Sequence, residues 1–297
     1  VMNTTSEFVA LVGRPNVGKS SLLNRLVGEK VAIVTEKPQT TRTRITGVLT
    51  RGENQMVFID RPGMHRPRTK LSEYMVRQVK ESVGDVDAAV LVTDCGSEIY
   101  AAERELAAGI AERRLPAVLV INKVDTLERK EPLLDKISAF SQLLPFEAVI
   151  PLSAKTGEGC EELLDELGRF AKPGPHYFSE DSYTDQPERV IAAEMIREKL
   201  LQNLRDEIPH GTAVEIERMR ERDDGQIVDI DATIYCEKAS HKGMIIGKGG
   251  QMLKKIATQS RQELENFLDI RVNLQCWVKV REDWRNSESM MKNFGFR

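Results

Sequence analysis

The residues GRPNVGKS at positions 13–20 constrain the fold more than any other stretch of this chain. They fit the pattern G-x-x-x-x-G-K-[ST], follow the strand-like run FVALVG (8–13) and open a helical pattern. Glycines at both ends of the loop let backbone amides point at phosphate oxygens, and the helix N-terminus favours anions. We predict a nucleotide-binding loop in which Lys19 reaches the β- and γ-phosphates and Ser20 holds Mg²⁺. The predicted nucleotide contacts here are Gly13, Arg14, Pro15, Asn16, Val17, Gly18, Lys19, Ser20 and Ser21.

Continuous apolar runs follow the loop and alternate with helical patterns. Their hydrophobicity does not alternate, which is typical of parallel strands covered on both faces. The runs are FVALVG (8–13), MVFID (56–60), AAVLVTD (88–94), AVLVIN (117–122) and AVIPLS (148–153). We therefore predict a doubly wound α/β domain with a mostly parallel sheet over residues 1–174, and a linker at 175–183, where prolines and a glycine interrupt the pattern.

Beyond the linker, the pattern becomes that of a smaller α+β domain, predicted over residues 184–297. An amphipathic helix at 189–204 is followed by alternating strands at 212–220 and 227–237, joined by the turn RDDG. A second helix is predicted from Gln251 to Leu268, and a third alternating strand at 271–280. Trp277 lies within that strand, where core packing is favoured, whereas Trp284 follows it and is predicted to be more exposed.

Polar residues at the ends of the predicted strands complete a nucleotide site. Asp60 ends one strand, where its carboxylate can reach Mg²⁺, and Gly63 follows in an Asp-x-x-Gly turn that can meet the γ-phosphate. Thr40 and Thr41 lie in the preceding loop and both carry a hydroxyl that can reach the metal; Thr41 is slightly favoured. The turn adds Asp60, Arg61, Pro62, Gly63 and Met64 to the predicted contacts, and the predicted catalytic residues are Lys19, Asn16, Thr41 and Gly63.

Two further strand ends predict recognition of guanine. The Asp125 carboxylate in NKVD can accept from the N1–H and the 2-amino group of guanine, a pair that adenine lacks, and such a site can reject the wrong base by about 10⁴-fold. Asn122 is expected to tie the loops together, and the Ala154 amide in SAK to donate to guanine O6. The predicted base contacts are Asn122, Lys123, Val124, Asp125, Ser153, Ala154 and Lys155.

The second predicted domain contains the turn GKGG at residues 247–250, between an apolar run and a helix. A G-x-x-G turn in this position is typical of KH domains, which clamp the backbone of single-stranded RNA. Between Lys238 and Gln262 the chain carries six basic residues and no acidic one. This local patch is hidden by the overall formal charge of −3, which argues against a chain-wide electrostatic attraction to nucleic acid.

The remaining composition favours a cytosolic protein. The four cysteines share no metal-binding spacing, so reduced thiols are expected. No signal-peptide pattern precedes the first predicted strand, and the apolar runs are of strand length. We therefore expect a cytoplasmic location.

The combination of GRPNVGKS, QTTRT, NKVD, SAK and GKGG resembles the Era family of bacterial GTPases. The likeness covers nearly the whole chain, including AAEMIREKLL, VEIER and WVKVREDW. The resemblance implies a Ras-like GTPase domain, a type-II KH domain and a monomer that binds GTP or GDP, the 3′ end of 16S rRNA and the 30S subunit. It also implies peripheral contact of some members with the inner membrane. The RNA contacts carried over by position are Lys242, Ile246, Gly247, Lys248, Gly249, Gly250, Lys254 and Lys255.

One departure from the family lies in the chemistry. Members normally have Asp-Thr-Pro-Gly where this chain has Arg61 in the second position, which leaves open an RNA-binding, GTP-sensing scaffold with little hydrolysis. A GTPase that uses the second domain as an adaptor for a membrane or protein partner also stays open. Met64 cannot orient a water molecule; related GTPases that lack the usual Gln hold K⁺ through an Asn at the position of Asn16. We therefore predict K⁺ as an activating cation.

Overall fold

The computed structural model describes residues 4–37, 40–60, 70–71, 86–129, 131–294 and 296. Its contacts divide the chain into two compact units. The first unit comprises the described residues of Val1–Ala32, Thr41–Pro67 and Ser72–Asp185, and the second those of Ile33–Thr40, Arg68–Leu71 and Gln186–Arg297. Residues 175–183, expected to form a linker, group with the first unit.

The described strands of the first unit form one sheet in the order β2-β3-β1-β4-β5-β6, with β7 paired to β1. Neighbouring strands run parallel except for the antiparallel pairs β2–β3 and β1–β7. This confirms the predicted mostly parallel sheet. The strands are β1 (Thr5–Val12), β2 (Ile45–Arg51), β3 (Asn54–Asp60), β4 (Ala88–Asp94), β5 (Ala117–Asn122), β6 (Ala148–Pro151) and β7 (Lys172–Pro173).

Helices cover the sheet of the first unit, because its strands are apolar on both faces. One buried cluster packs Leu22, Leu23 and Leu26 of the first helix against alternate residues of β1 and β3; a second cluster includes Ile110 and Phe140. The helices, numbered among the described residues, are α1 (Lys19–Val27), α2 (Ala101–Glu112), α3 (Glu131–Ser141) and α4 (Cys160–Leu167).

Strand β2 is an element that the apolar runs do not predict. Its sequence ITGVLTR is interrupted by threonines and Gly47, so it lacks the continuous hydrophobicity of its neighbours. The strand lies at the edge of the sheet, where the Val48 amide donates to the Tyr183 carbonyl at 2.8 Å. The predicted linker thus satisfies part of this edge.

The described part of the second unit contains the predicted helices and strands in the predicted order, together with two shorter α-helices that the sequence did not predict. Strands β8 (Ala213–Glu221) and β9 (Ile227–Cys236) pair antiparallel, and β10 (Arg271–Val280) pairs parallel with β9. Apolar side chains of this sheet pack against the helices in a separate core. The helices are α5 (Glu188–Asn203), α6 (Ala239–Ile246), α7 (Gln251–Leu268) and α8 (Glu288–Asn293).

Helix α5 is buried on more than its apolar face. Its Glu198 side chain is almost fully buried and accepts a hydrogen bond from the Val34 amide at 2.7 Å; both residues belong to the second unit. The neighbouring Arg197 is also buried and bonds to Glu194 at 2.6 Å. These charged side chains are tolerated because each has a hydrogen-bond partner.

The two tryptophans contradict their predicted environments. Trp284 is fully buried; its Nε1 donates to the Gly211 carbonyl at 2.9 Å, and its ring meets Phe294 edge-on. Trp277 is 44% exposed. Side chains alternate between the two faces of β10, and Trp277 lies on the same outward face as Arg271. The intervening positions face the helices.

The described part of the chain contains no helix long and apolar enough to cross a bilayer. All four cysteines are free.

Candidate nucleotide and RNA-binding sites

The phosphate loop joins β1 to α1, as its sequence predicts. Gly18 adopts a left-handed backbone (φ 95°), and a Cβ there would lie 2.3 Å from Asn122 Nδ2. A Cβ on Gly13 would lie 2.3 Å from the Val92 carbonyl oxygen, so both positions require glycine. Lys19 is buried, and its Nζ donates to the carbonyls of Gly13 and Arg14 at 3.1 and 3.0 Å. Burial lowers the pKa of Lys19, and the charge of Asp60 opposes that shift.

Three oxygen-bearing side chains converge beside the loop, as a Mg²⁺ site requires. The Ser20 hydroxyl donates to Asp60 Oδ2 at 2.7 Å and lies 3.0 Å from the Thr41 hydroxyl. Asp60 is fully buried at the end of β3. Thr40 instead bonds to Thr35 and to the Lys37 carbonyl, at 2.7 and 2.6 Å. The Thr41 hydroxyl, rather than that of Thr40, therefore lies beside Ser20 and Asp60. Hard oxygen donors of this kind suit Mg²⁺.

Asn122 ties three loops together, as predicted. Its Nδ2 donates to the Val17 carbonyl at 2.9 Å, and its Oδ1 accepts from the amides of Lys123 and Ala154 at 2.8 and 3.0 Å. The side chain is almost fully buried, so each polar atom is satisfied by protein rather than by water. In this structure the Ala154 amide, predicted to donate to guanine O6, is thus engaged by Asn122.

The other residues predicted to contact the base lie close to Asn122 along the chain or in the SAK loop. Asp125 is exposed, and its Oδ1 accepts from the Ser153 hydroxyl at 2.7 Å, which orients the carboxylate. Lys123 Nζ donates to the Asn16 carbonyl at 2.7 Å, so Lys123 packs against the phosphate loop as expected. Asn16 itself has a left-handed backbone and an exposed side chain.

Arg14, predicted to contact the nucleotide, directs its side chain elsewhere. The guanidinium forms an ion pair with Asp94 at the end of β4, lies 3.3 Å from Glu103 and sits 4.5 Å above the Tyr100 ring. Buried Lys136 donates to the Asp94 carbonyl at 2.6 Å. Burial opposes ionisation of Asp94, but the charge and hydrogen bond of Arg14, the Gly96 amide and the charge of Lys136 together lower the pKa of that carboxyl. No sequence pattern predicts this network, because its members are far apart in the chain.

Part of the predicted site lies outside the described residues. Arg61, Pro62, Gly63 and Met64 follow β3 directly and belong to this group. Their predicted roles at the γ-phosphate stay predictions. The rest of the predicted nucleotide site lies within the described chain: Pro15, Val17 and Ser21 in and after the phosphate loop, Val124 after Lys123, and Lys155 beside Ala154.

The G-x-x-G turn of the second unit presents an open surface. Gly247, Gly249 and Gly250 all have positive φ, and a Cβ on Gly249 or Gly250 would meet nothing within 4 Å. Helix α7 starts directly after the turn, and no side chain caps its N-terminus. Lys248, Lys254 and Lys255 are exposed around the turn, while Lys242 and Ile246 on α6 are half-buried. Backbone amides and ammonium groups are thereby available to an anionic strand.

The fold and the two sites define a class: a Ras-like P-loop GTPase carrying a C-terminal KH domain. A family described as 50S ribosome-binding GTPase matches residues 8–123, and a KH domain family matches residues 207–285. GTPase Era of Ruminiclostridium cellulolyticum is 49% identical over 100% of this chain and 99% of its own, and that of Clostridioides difficile is 47% identical over 98% of both. The chain belongs to the Era family of GTPases.

Solved structures support the same assignment over the full length. A variant of Aquifex aeolicus Era bound to GDP·AlF4⁻ matches with a TM-score of 0.94 and 35% identity, over 99% of both chains. Era in complex with MgGDPNP and nucleotides 1506–1542 of 16S ribosomal RNA matches with the same TM-score, identity and coverage.

Proposed function

We propose that this GTPase binds the 3′ end of 16S rRNA through its KH unit and assists maturation of the 30S subunit in the cytoplasm. The observation that carries the proposal is the open G-x-x-G turn with its exposed lysines. A solved structure of an Era protein with nucleotides of 16S rRNA supports it. Phosphate contacts from Lys254 and Lys255 add affinity that depends on salt.

The RNA proposal is tested with a single-stranded 16S rRNA 3′ end and a Lys254→Ala/Lys255→Ala variant. Loss of two phosphate contacts should weaken binding and reduce the slope of log K against log salt by about 0.7 per contact. The matched control is Arg218→Ala/Arg220→Ala, which removes the same charge from exposed positions on β8. Equal losses in both variants would show that only net charge matters and would refute the assignment to the turn.

For the nucleotide site, we propose that Ser20, Thr41 and Asp60 hold Mg²⁺ and that Asp125 reads guanine. The convergence of the three oxygens supports the first part, and the Ser153–Asp125 bond supports the second. Bound there, Mg²⁺ would neutralise charge on the phosphates. Lys19 holds their oxygens, and water attacks the γ-phosphate in line.

Asp125→Asn tests the assignment of guanine recognition. An amide cannot accept from both guanine donors, but it can donate to the 2-oxo group of xanthine. GTP binding should therefore weaken by about 10²–10⁴-fold while XTP binding strengthens. Unchanged GTP affinity would overturn the assignment.

We further propose that Asn16 helps to hold K⁺ at the position where other GTPases place an arginine finger. Asn16 has its exposed side chain on the phosphate loop, beside the groups that hold the phosphates. A cation supplied at this point adds about 10³–10⁵ in rate in related enzymes. GTP turnover should be faster in KCl than in NaCl, and Asn16→Ala should remove the difference. Equal wild-type rates in the two salts would sink the idea.

The scaffold alternative rests on Arg61, which departs from the family pattern. Multiple-turnover phosphate release by the wild-type protein, measured with and without the rRNA 3′ end, distinguishes a GTPase from a scaffold with little hydrolysis. Release of several phosphates per protein supports a GTPase cycle, and release of less than one supports the scaffold. Peripheral contact with a membrane and a monomeric state also stay predictions, tested by vesicle co-sedimentation and by light scattering.

A further inference from the structure

Arg25 lies outside every sequence motif, yet it contacts the SAK loop. It is in the last turn of α1, and its Nε donates to the Ala154 carbonyl at 3.0 Å. Its Nη2 donates to the Lys155 carbonyl at 2.5 Å. A guanidinium carries its donors in a fixed planar fork, so the two carbonyls are held relative to each other as well as to α1.

Holding these carbonyls also sets the direction of an amide. The Ala154 carbonyl and the Lys155 N–H belong to one planar trans peptide group, in which they point in opposite directions. When Arg25 binds the carbonyl, the Lys155 N–H therefore points away from Arg25. The next peptide group is fixed at both ends. Arg25 binds its Lys155 carbonyl, and its Thr156 amide donates to the Ser153 hydroxyl at 3.2 Å.

The amides of this loop differ in whether protein already satisfies them. The Ser153 amide donates to the Glu158 carbonyl at 2.9 Å, and the Ala154 amide donates to Asn122 Oδ1 at 3.0 Å. Among the described residues, the Lys155 amide has no acceptor. It is the amide in this loop that can bind an incoming acceptor without breaking a protein hydrogen bond.

We propose that Arg25 is a positioning residue for guanine recognition: it aims the Lys155 N–H at O6 of the base. The inference rests on the proposed guanine site and deepens it. It also changes the expected O6 donor from Ala154 to Lys155, with Ala154 retained by Asn122. Loss of one such hydrogen bond corresponds to about a five- to tenfold weaker complex.

The test compares Arg25→Ala with wild type on three nucleotides, by displacement of a fluorescent GDP from the full-length protein. GDP carries O6 and the 2-amino group, whereas IDP keeps O6 and lacks the amino group. The 5′-diphosphate of 2-aminopurine riboside keeps the amino group but lacks both O6 and the N1–H. The matched control is Arg169→Ala, which removes the same charge from an arginine that is 72% exposed in the same unit and pairs with Glu166.

If Arg25 acts through O6, Arg25→Ala should weaken GDP and IDP by the same five- to tenfold and leave the 2-aminopurine nucleotide unchanged. Arg169→Ala should change none of the three. An equal loss for all three nucleotides would show a general structural role, and no loss for GDP would show no role; either result overturns the inference. A loss for GDP but not for IDP would place the effect at the amino group and overturn it too.

The same measurement separates this inference from the guanine site on which it rests. Wild-type protein that binds the 2-aminopurine nucleotide as tightly as GDP would refute both. Wild-type protein that prefers GDP, combined with any of the three contrary Arg25→Ala results, would refute only the role of Arg25.

Discussion

Replacing Glu7 by Gln should make the first unit more stable at neutral and alkaline pH, but not at acidic pH. Glu7 is fully buried on β1; Asn54 Nδ2 donates to its Oε1 at 3.1 Å, and its Oε2 has no hydrogen-bond partner among the described residues. Burial raises the pKa of Glu7 from 4.5 to about 7; the Asn54 bond opposes this shift and the Asp87 charge adds to it. A neutral Gln can keep the Asn54 bond without burying a charge.

The sign and size of the change in unfolding free energy follow from proton linkage. Between pH 4.5 and about 7 the folded chain binds more protons at Glu7 than the unfolded chain, so the free energy of unfolding falls as pH rises. At about 1.4 kcal/mol for each pKa unit, the loss above pH 7 has an upper bound of about 3.5 kcal/mol. Glu7→Gln removes this loss. For a unit of this size, that bound corresponds to a rise in Tm of about 7–14 °C.

The measurement is differential scanning calorimetry of the full chain from pH 4.5 to pH 8 at constant ionic strength, following the transition of the first unit. The two proteins should unfold together at pH 4.5 and separate progressively toward pH 8. The control is Glu161→Gln, an exposed carboxylate of the same unit that pairs with Arg51. A Tm difference that stays constant across this range, or a less stable Glu7→Gln protein at pH 8, would refute the reasoning.

Two further predictions use matched positions. Gly18→Ala should abolish nucleotide binding, whereas Gly28→Ala should retain it; both glycines have left-handed backbones, but only at Gly18 would a Cβ meet another atom within 4 Å. Displacement of a fluorescent GDP measures both, and equal binding by the two variants would count against the clash. Trp284→Phe should destabilise the second unit by about 1–3 kcal/mol, because the Gly211 carbonyl loses a buried donor. Exposed Trp277→Phe should change urea unfolding little; similar midpoints for both variants would contradict the assigned burial.

The sequence predicted the site best where a residue's position follows from the architecture itself. Parallel strands have their carboxyl ends at one edge of the sheet, so residues that end or follow β1, β3 and β5 lie near one another there. Ser20, Asp60 and Asn122 could be assigned in this way without knowledge of any individual contact. The choice between Thr40 and Thr41 could not be made from the sequence, because the two adjacent hydroxyls have the same chemistry. Only the path of the loop decides which one lies beside Ser20 and Asp60.

The two tryptophans show a different limit. Alternation along β10 contained the information needed to place Trp277, since it shares parity with Arg271, Asn273 and Lys279. Core packing was expected because Trp is a large aromatic residue, although its position in the alternating pattern places it on the outward face. Trp284 lies beyond the strand, where no period applies, and its burial depends on contacts with Phe294 and Phe296 from the end of the chain.

Two arginines show why the supporting contacts escape motif analysis. Arg14 belongs to the phosphate-loop pattern, yet its side chain pairs with Asp94, 80 residues away. Arg25 belongs to no pattern, yet it holds a carbonyl 129 residues away in the loop predicted to read guanine. A motif specifies groups that face the ligand through local backbone geometry. The groups that hold those loops in place depend on which elements pack together, so their roles become visible only once α1, β4 and the SAK loop are placed in space.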